Sequence, residues 1–124
     1  MPYTDSGAGE LNDDLFDLRM SDEARPLYDH VKKFIADVVD PMSVKFHELG
    51  KDKKDIWSYA PGQLETLEEA KDEAKKQGLW NFFLPDADTG EGLKNLDYAY
   101  IAAELGKNSL ASETMNCSAP DTGN

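Results

Sequence analysis

The sequence has a single cysteine, Cys117, and only two histidines, His30 and His47, in 124 residues. One thiol cannot close an internal disulfide, so the chain has no oxidised framework and suits a reducing compartment. Cys117 has no histidine nearby and no charged context to lower its pKa, which makes it a small semi-buried residue rather than a nucleophile. Neither histidine has a second ligand at metal spacing, so no metal site is expected and both take surface or packing roles. Basic residues are scarce as well: 13 Lys and Arg stand against 25 Asp and Glu, a net charge of -12. A phosphate backbone or an anionic membrane would be repelled by such a field, and nucleic acid is not an expected partner. Trp57, Tyr59 and Trp80 do not change this, because no basic residues interleave with them as base stacking would require. No apolar run approaches the ~20 residues that span a bilayer. The first dozen residues lack the basic and apolar regions of a secretory leader, and Asp5 and Glu10 argue against a transit peptide.

What is present is a chain of 40% hydrophobic and 31% charged residues, the balance of a soluble helix-rich domain. Its length fits one domain able to bury a core. Residues 1–20 read as a mobile acidic arm, and 21–124 as the domain. The first helix is expected from Ser21 or Asp22 to Val39. Its apolar stripe is Leu27, Val31, Phe34, Ile35 and Val38, with Ser21 or Asp22 as its cap. Pro41 should stop or kink it, since proline removes a donor and biases Asp40 away from helical angles. A shorter helix over Pro41 to Leu49 should end at Gly50, followed by a charged loop, Lys51 to Asp55.

The next helix is expected from Pro61 to Lys76, burying Leu64, Leu67, Ala70 or Lys71, and Ala74, with Gly78 in the left-handed position after its end. Its acids lie early and its lysines late, which matches the helix dipole and describes a solvated face. Gly78 to Pro85 is densely apolar and too short for a helix, so it reads as a turn-like segment pinned in the core by Trp80, Phe82 and Phe83. Asp86 to Gly92 is a polar loop. Asn95 should cap a helix to Leu105 whose apolar residues go most of the way round, as in a helix buried on more than one side. A last helical stretch should start near Leu110 or Ala111 and run toward Ser118. With no strand alternation and no internal repeat, the fold class is all-α, helical and bundle-like, with roughly five helices.

Few of these residues converge on chemistry. Asp86 to Gly92 has acids and glycines but not the ligand spacing of a calcium loop. Gly90 and Gly92 have no Gly-Lys-Ser/Thr after them, so they do not form a phosphate cradle. The end of the chain is more informative. Asn116-Cys117-Ser118-Ala119-Pro120-Asp121-Thr122-Gly123-Asn124 reads as the entrance to an element that does not follow. Pro120 restricts the backbone, Asp121 and Thr122 suit a helix cap, and Gly123 permits a turn. The expectation is a chain cut at a junction.

Two blocks carry a family resemblance. One is Gln77-Gly78-Leu79-Trp80-Asn81-Phe82-Phe83-Leu84-Pro85. The other runs from Asn95-Leu96-Asp97-Tyr98-Ala99 through Ala103-Glu104-Leu105-Gly106 and on to Asn116 to Asn124. Together they resemble the N-terminal helical domain of acyl-CoA dehydrogenases, over about Ser21 to Asn124. Phe34, Val38 and Pro41, followed by Phe46-His47-Glu48, fit the same family.

The resemblance implies a complete enzyme with a middle β-domain and a C-terminal helical domain, both missing here. It also implies FAD held mainly between those two domains, and a dimer or tetramer. In most members a glutamate of the C-terminal domain removes the α-proton of an acyl-CoA thioester while hydride passes to the flavin. By that resemblance this chain contributes no catalytic residue and binds no FAD tightly. It supplies a docking surface and one wall of the acyl pocket, with Met115, Asn116 and Ala119 as the lining residues. Alone it should be inactive. A second reading is a free-standing helical interaction module without catalysis. Cytoplasm is the expected compartment, with mitochondrion and peroxisome as alternatives.

Overall fold

The computed structural model describes residues 18–118, and every regular element among them is helical. Most of the arm expected over 1–20, the pocket residue Ala119 and the rest of the terminal block lie outside the described residues.

Of the two outcomes expected at Pro41, a stop or a kink, the stop does not occur. α1 (Arg25–Phe34), a π-helical turn (Ile35–Val39) and α2 (Asp40–Gly50) follow one another without a gap. The π turn supplies the reason. Proline has no N–H, and its ring crowds the carbonyl four residues back. In the widened turn before it, the Asp40 amide reaches past that register to the Ile35 carbonyl, five residues back. The chain thus absorbs the proline in the first turn of α2, where its fixed φ is already helical.

Val31, Phe34, Ile35, Val39, Met42 and Phe46 form a single buried stripe of helical spacing along 25–50; Val39 is buried where Val38 was expected, and Leu27 and Val38 are half-buried. α2 packs along α3 (Gln63–Lys76), which offers Thr66, Leu67, Ala70 and Ala74. Leu64, expected on that face, is 41% exposed, and Gln63 is buried in its stead. The Gln63 side chain accepts from the Ala60 amide at 2.7 Å and donates to the Phe46 carbonyl at 2.9 Å, so its burial leaves no polar group unmet. Gly50 makes room for it, because a Cβ there would lie 2.2 Å from Gln63 Nε2. α3 starts at Gln63 rather than Pro61, since Gly62 is left-handed at φ 92.

The end of α3 matches its sequence signal. Gly78 sits at φ 75, its amide bonds the Lys75 carbonyl at 3.2 Å, and the Leu79 amide bonds that of Ala74 at 2.8 Å. That pair of bonds is a Schellman motif, and its usual apolar contact falls on Leu79 and Ala74, both buried. Leu79 therefore takes the core position expected of Trp80. The indole is half-buried instead, with the Lys75 ammonium 4.6 Å from its ring. Phe82 is buried as expected, and Phe83 is half-buried.

α4 (Asn95–Leu105) packs on α1. Asn95 is its first helical residue rather than its cap, and Lys94 holds the cap position without a side-chain bond. Only Asp97, Ile101 and Leu105 are buried on α4, so the expectation of burial on several sides is corrected. Ala99, Tyr100 and Ala103 are exposed, and the Tyr100 hydroxyl donates to the Leu18 carbonyl. Ser21, expected to cap the first helix, serves α4 instead: its amide and hydroxyl both donate to the Asp97 carboxylate at 2.8 Å. A short 3-10 turn (Asp22–Ala24) then leads into α1. The last helix, α5 (Ala111–Thr114), is a single turn and stops well short of Ser118, because Asn116 turns left-handed at φ 57.

Candidate functional site

The two sequence blocks meet in space. α5 lies on α3 and on the π turn, with Ala111 and Thr114 fully buried. The Thr114 hydroxyl donates to the Ala111 carbonyl at 2.7 Å, which satisfies a buried polar group within the turn itself. After it the chain is held by backbone bonds from the Asn116 amide to Glu113 at 3.3 Å and from the Cys117 amide to Ser112 at 2.8 Å. Asn81, from the other block, approaches this segment from the side. Its amide donates to the Met115 carbonyl at 3.1 Å, and its Oδ1 accepts from Asn116 Nδ2 at 2.6 Å.

Of the expected pocket residues, Met115 is wholly buried in the domain's own core and Asn116 is exposed. Sequence reasoning missed Asn81. The signal available was a lone amide inside the apolar run Leu79 to Leu84, carried by the residue type that best tolerates the left-handed region. Cys117, expected to be semi-buried, is 4% exposed, and its thiol contacts the Met115 carbonyl at 3.4 Å.

A charged link ties the same segment to α3. Lys71 Nζ lies 2.9 Å from Glu113 and 3.3 Å from Glu68, and the lysine side chain is 16% exposed. The hydrogen bond to Glu113 raises the Lys71 pKa above 10.5, outweighing the opposing effect of burial. A raised lysine pKa adds stability that is complete below the unfolded value and lost as pH climbs through the folded one. K71M is therefore expected to be less stable by about 1 kcal/mol near neutral pH. The urea midpoints of the two proteins should then converge as pH rises past 10.5 and through the raised value.

Two concavities lie elsewhere. A cleft of about 780 Å³ between the start of α1 and α4 is lined by Arg19, Ser21, Asp22, Arg25, Lys94 and Asp97 among others. A groove of about 330 Å³ beside the π turn is floored by Val38, Pro41, Met42 and Ala70. Neither brings a nucleophile together with a base. His30 is occupied by Gln77 at 2.9 Å, and His47 is exposed against the Phe46 ring. Among the described residues, no group of three or more His, Cys, Asp or Glu is placed to hold a metal ion, and no helix is long and apolar enough to cross a membrane.

No family model matches the chain. Individual proteins do. Acyl-CoA dehydrogenase family member 10 of Mus musculus is 38% identical over 112 residues, which is 85% of this chain and 10% of that protein. Acyl-CoA dehydrogenase family member 11 of Gallus gallus is 40% identical over 97 residues, 76% of this chain and 12% of that protein. A solved structure from Mycobacterium abscessus that carries the acyl-CoA dehydrogenase name superposes with a TM-score of 0.66 at 34% identity, over 85% of this chain and 27% of that one. The chain belongs to the acyl-CoA dehydrogenase family. Sequence and fold agree on this, and the all-α bundle is the N-terminal helical domain of the acyl-CoA dehydrogenase fold. The chain spans about a tenth of the length of the curated relatives it matches.

Proposed function

We propose that this chain is the N-terminal domain of a FAD-dependent acyl-CoA dehydrogenase, an oxidoreductase that desaturates an acyl thioester between its α and β carbons. The observation that carries the reading is the match to proteins of that name over most of this chain but a small share of theirs. Chemistry on this reading is done by residues outside the chain. The domain's part is a wall that shapes the acyl site and excludes water from it, together with a surface for the remaining domains. Asn116 fronts that wall and Met115 backs it from within the core; Ala119, the third residue assigned to it by the resemblance, lies outside the described residues.

The described residues do not themselves fit a flavin. The cleft of about 780 Å³ sets the carboxylates of Asp22 and Asp97 among its cations, and Asp97 is already engaged by Ser21. No glycine lines the cleft to let backbone amides close on a pyrophosphate. FAD on this reading is held by the other domains, and acyl-CoA is the substrate of the assembled dimer or tetramer.

The test is to express the full-length parent protein beside residues 1–124 alone. The parent is expected to be yellow and to reduce an electron acceptor when given acyl-CoA, and the shorter chain to do neither. A colourless parent that oxidises no acyl-CoA would end this reading.

A further inference from the structure

We infer that Asn81 is a positioning residue for the acyl-site wall, and that it sets acyl-chain preference by fixing where residues 115–118 lie. The inference rests on the acyl-CoA reading above. Its ground is a coincidence of backbone and side chain. Among the described residues two that are not glycine adopt positive φ, Asn81 at 62 and Asn116 at 57, and these two are bonded to each other. The left-handed region disfavours L side chains, and residues held there concentrate where structure serves a site. An asparagine usually eases such a position by bonding its own local backbone. Here the Asn116 amide spends its donor on Asn81 instead.

The grip is double and its base is rigid. Asn81 holds two successive residues, Met115 through its backbone amide and Asn116 through its side chain. A slip of the segment by one residue would lose both bonds. Asn81 is itself fixed between Leu79 and Phe82, each 1% exposed in the core. The core thus sets the position of Asn81, and Asn81 holds Met115 and Asn116 in place beside the backbone bonds to Glu113 and Ser112. A wall that discriminates acyl chains must be placed to within a methylene group, which in an apolar pocket is worth about 10- to 200-fold in kcat/KM.

The experiment uses the full-length protein with Asn81→Gly and Asn81→Asp. Glycine accepts φ 62 without strain, so N81G removes the side-chain bond while leaving the backbone conformation available. N81D keeps an acceptor oxygen and serves as the rescue. Two readouts are taken: the ratio of kcat/KM between the preferred acyl-CoA and one two carbons shorter, and the iodoacetamide labelling rate of Cys117, followed on its own peptide by mass spectrometry. N81G is expected to change the ratio by about tenfold with flavin content retained, and to raise Cys117 labelling by a similar factor. N81D should match the parent in both. The inference is overturned if N81G leaves the chain-length ratio unchanged, whether or not Cys117 becomes reactive. It is also overturned if N81D behaves as N81G does. A parent without acyl-CoA oxidation is a separate result, which removes the functional reading and this inference with it.

Discussion

Phe82→Ala is expected to destabilise the protein by about 3–5 kcal/mol, a large part of the roughly 5–15 kcal/mol that holds a typical domain folded. Phe82 is 1% exposed and packs edge-on against Tyr98, with ring centroids 6.1 Å apart. It belongs to no helix, and that adds to the cost rather than softening it. The turns around it are tied down on both sides, by Asn81 to Met115 and by the Glu91 amide to the Phe82 carbonyl at 3.3 Å. A cavity at this point cannot close by a simple collapse of the loop. Urea unfolding is the measurement: the midpoint should fall while the slope stays constant. Phe83→Ala is the control. Phe83 is half-buried, with its ring 6.5 Å from that of Tyr98, and should lose about 1–2 kcal/mol. Equal losses in the two variants would show that the block 77–85 is not anchored through Phe82.

That block also marks the boundary of what the sequence disclosed. Apolar spacing was enough to place Val31, Phe34 and Ile35, most of the buried face of α3 and the left-handed Gly78. Each depends on residues within one or two turns of each other. The misses have two physical causes, a partner far along the chain and local backbone turns that apolar spacing does not describe. Ser21 has the chemistry of a cap, but its hydroxyl is claimed by Asp97, 76 residues away. Trp80 is the largest apolar group in its run, yet the Schellman turn hands the core position to Leu79. Pro41 reads as a stop or a kink, whereas the helix runs on through a π turn, which no simple periodicity describes. The candidate site was half legible. The block carrying Asn116 pointed to the segment proposed as the wall, while Met115 suits a core and a pocket wall equally by chemistry. Asn81 acts through a contact 35 residues away, which a single sequence does not reveal.

Asp97→Ala should cost about 2–4 kcal/mol, and the way that loss divides would separate stability from positioning. Asp97 is 4% exposed and accepts two hydrogen bonds from Ser21, one from backbone and one from side chain. Hydrogen bonds to a charged acceptor are worth about 1.5–3 kcal/mol each, and truncation leaves the Ser21 amide without its partner in a half-buried place. The carboxylate also lies in the first turn of α4, where the helix dipole favours negative charge. Ser21→Ala removes only the hydroxyl bond and should cost about 1 kcal/mol, so a double-mutant cycle between the two positions isolates the coupling. Farther along the same helix pair, the Tyr28 hydroxyl donates to Glu104 at 2.9 Å, and Lys107 beside it holds that carboxyl below the usual range. This second tie is the reason D97A should loosen one end of the α1 and α4 pair rather than unfold it. Ser21 and Asp97 do not touch the Asn81 to Asn116 contact. In the full-length protein D97A should therefore lower the urea midpoint while leaving acyl-chain preference at the parental value. A shift in preference equal to that of N81G would mean that global loosening, and not the asparagine pair, sets the wall.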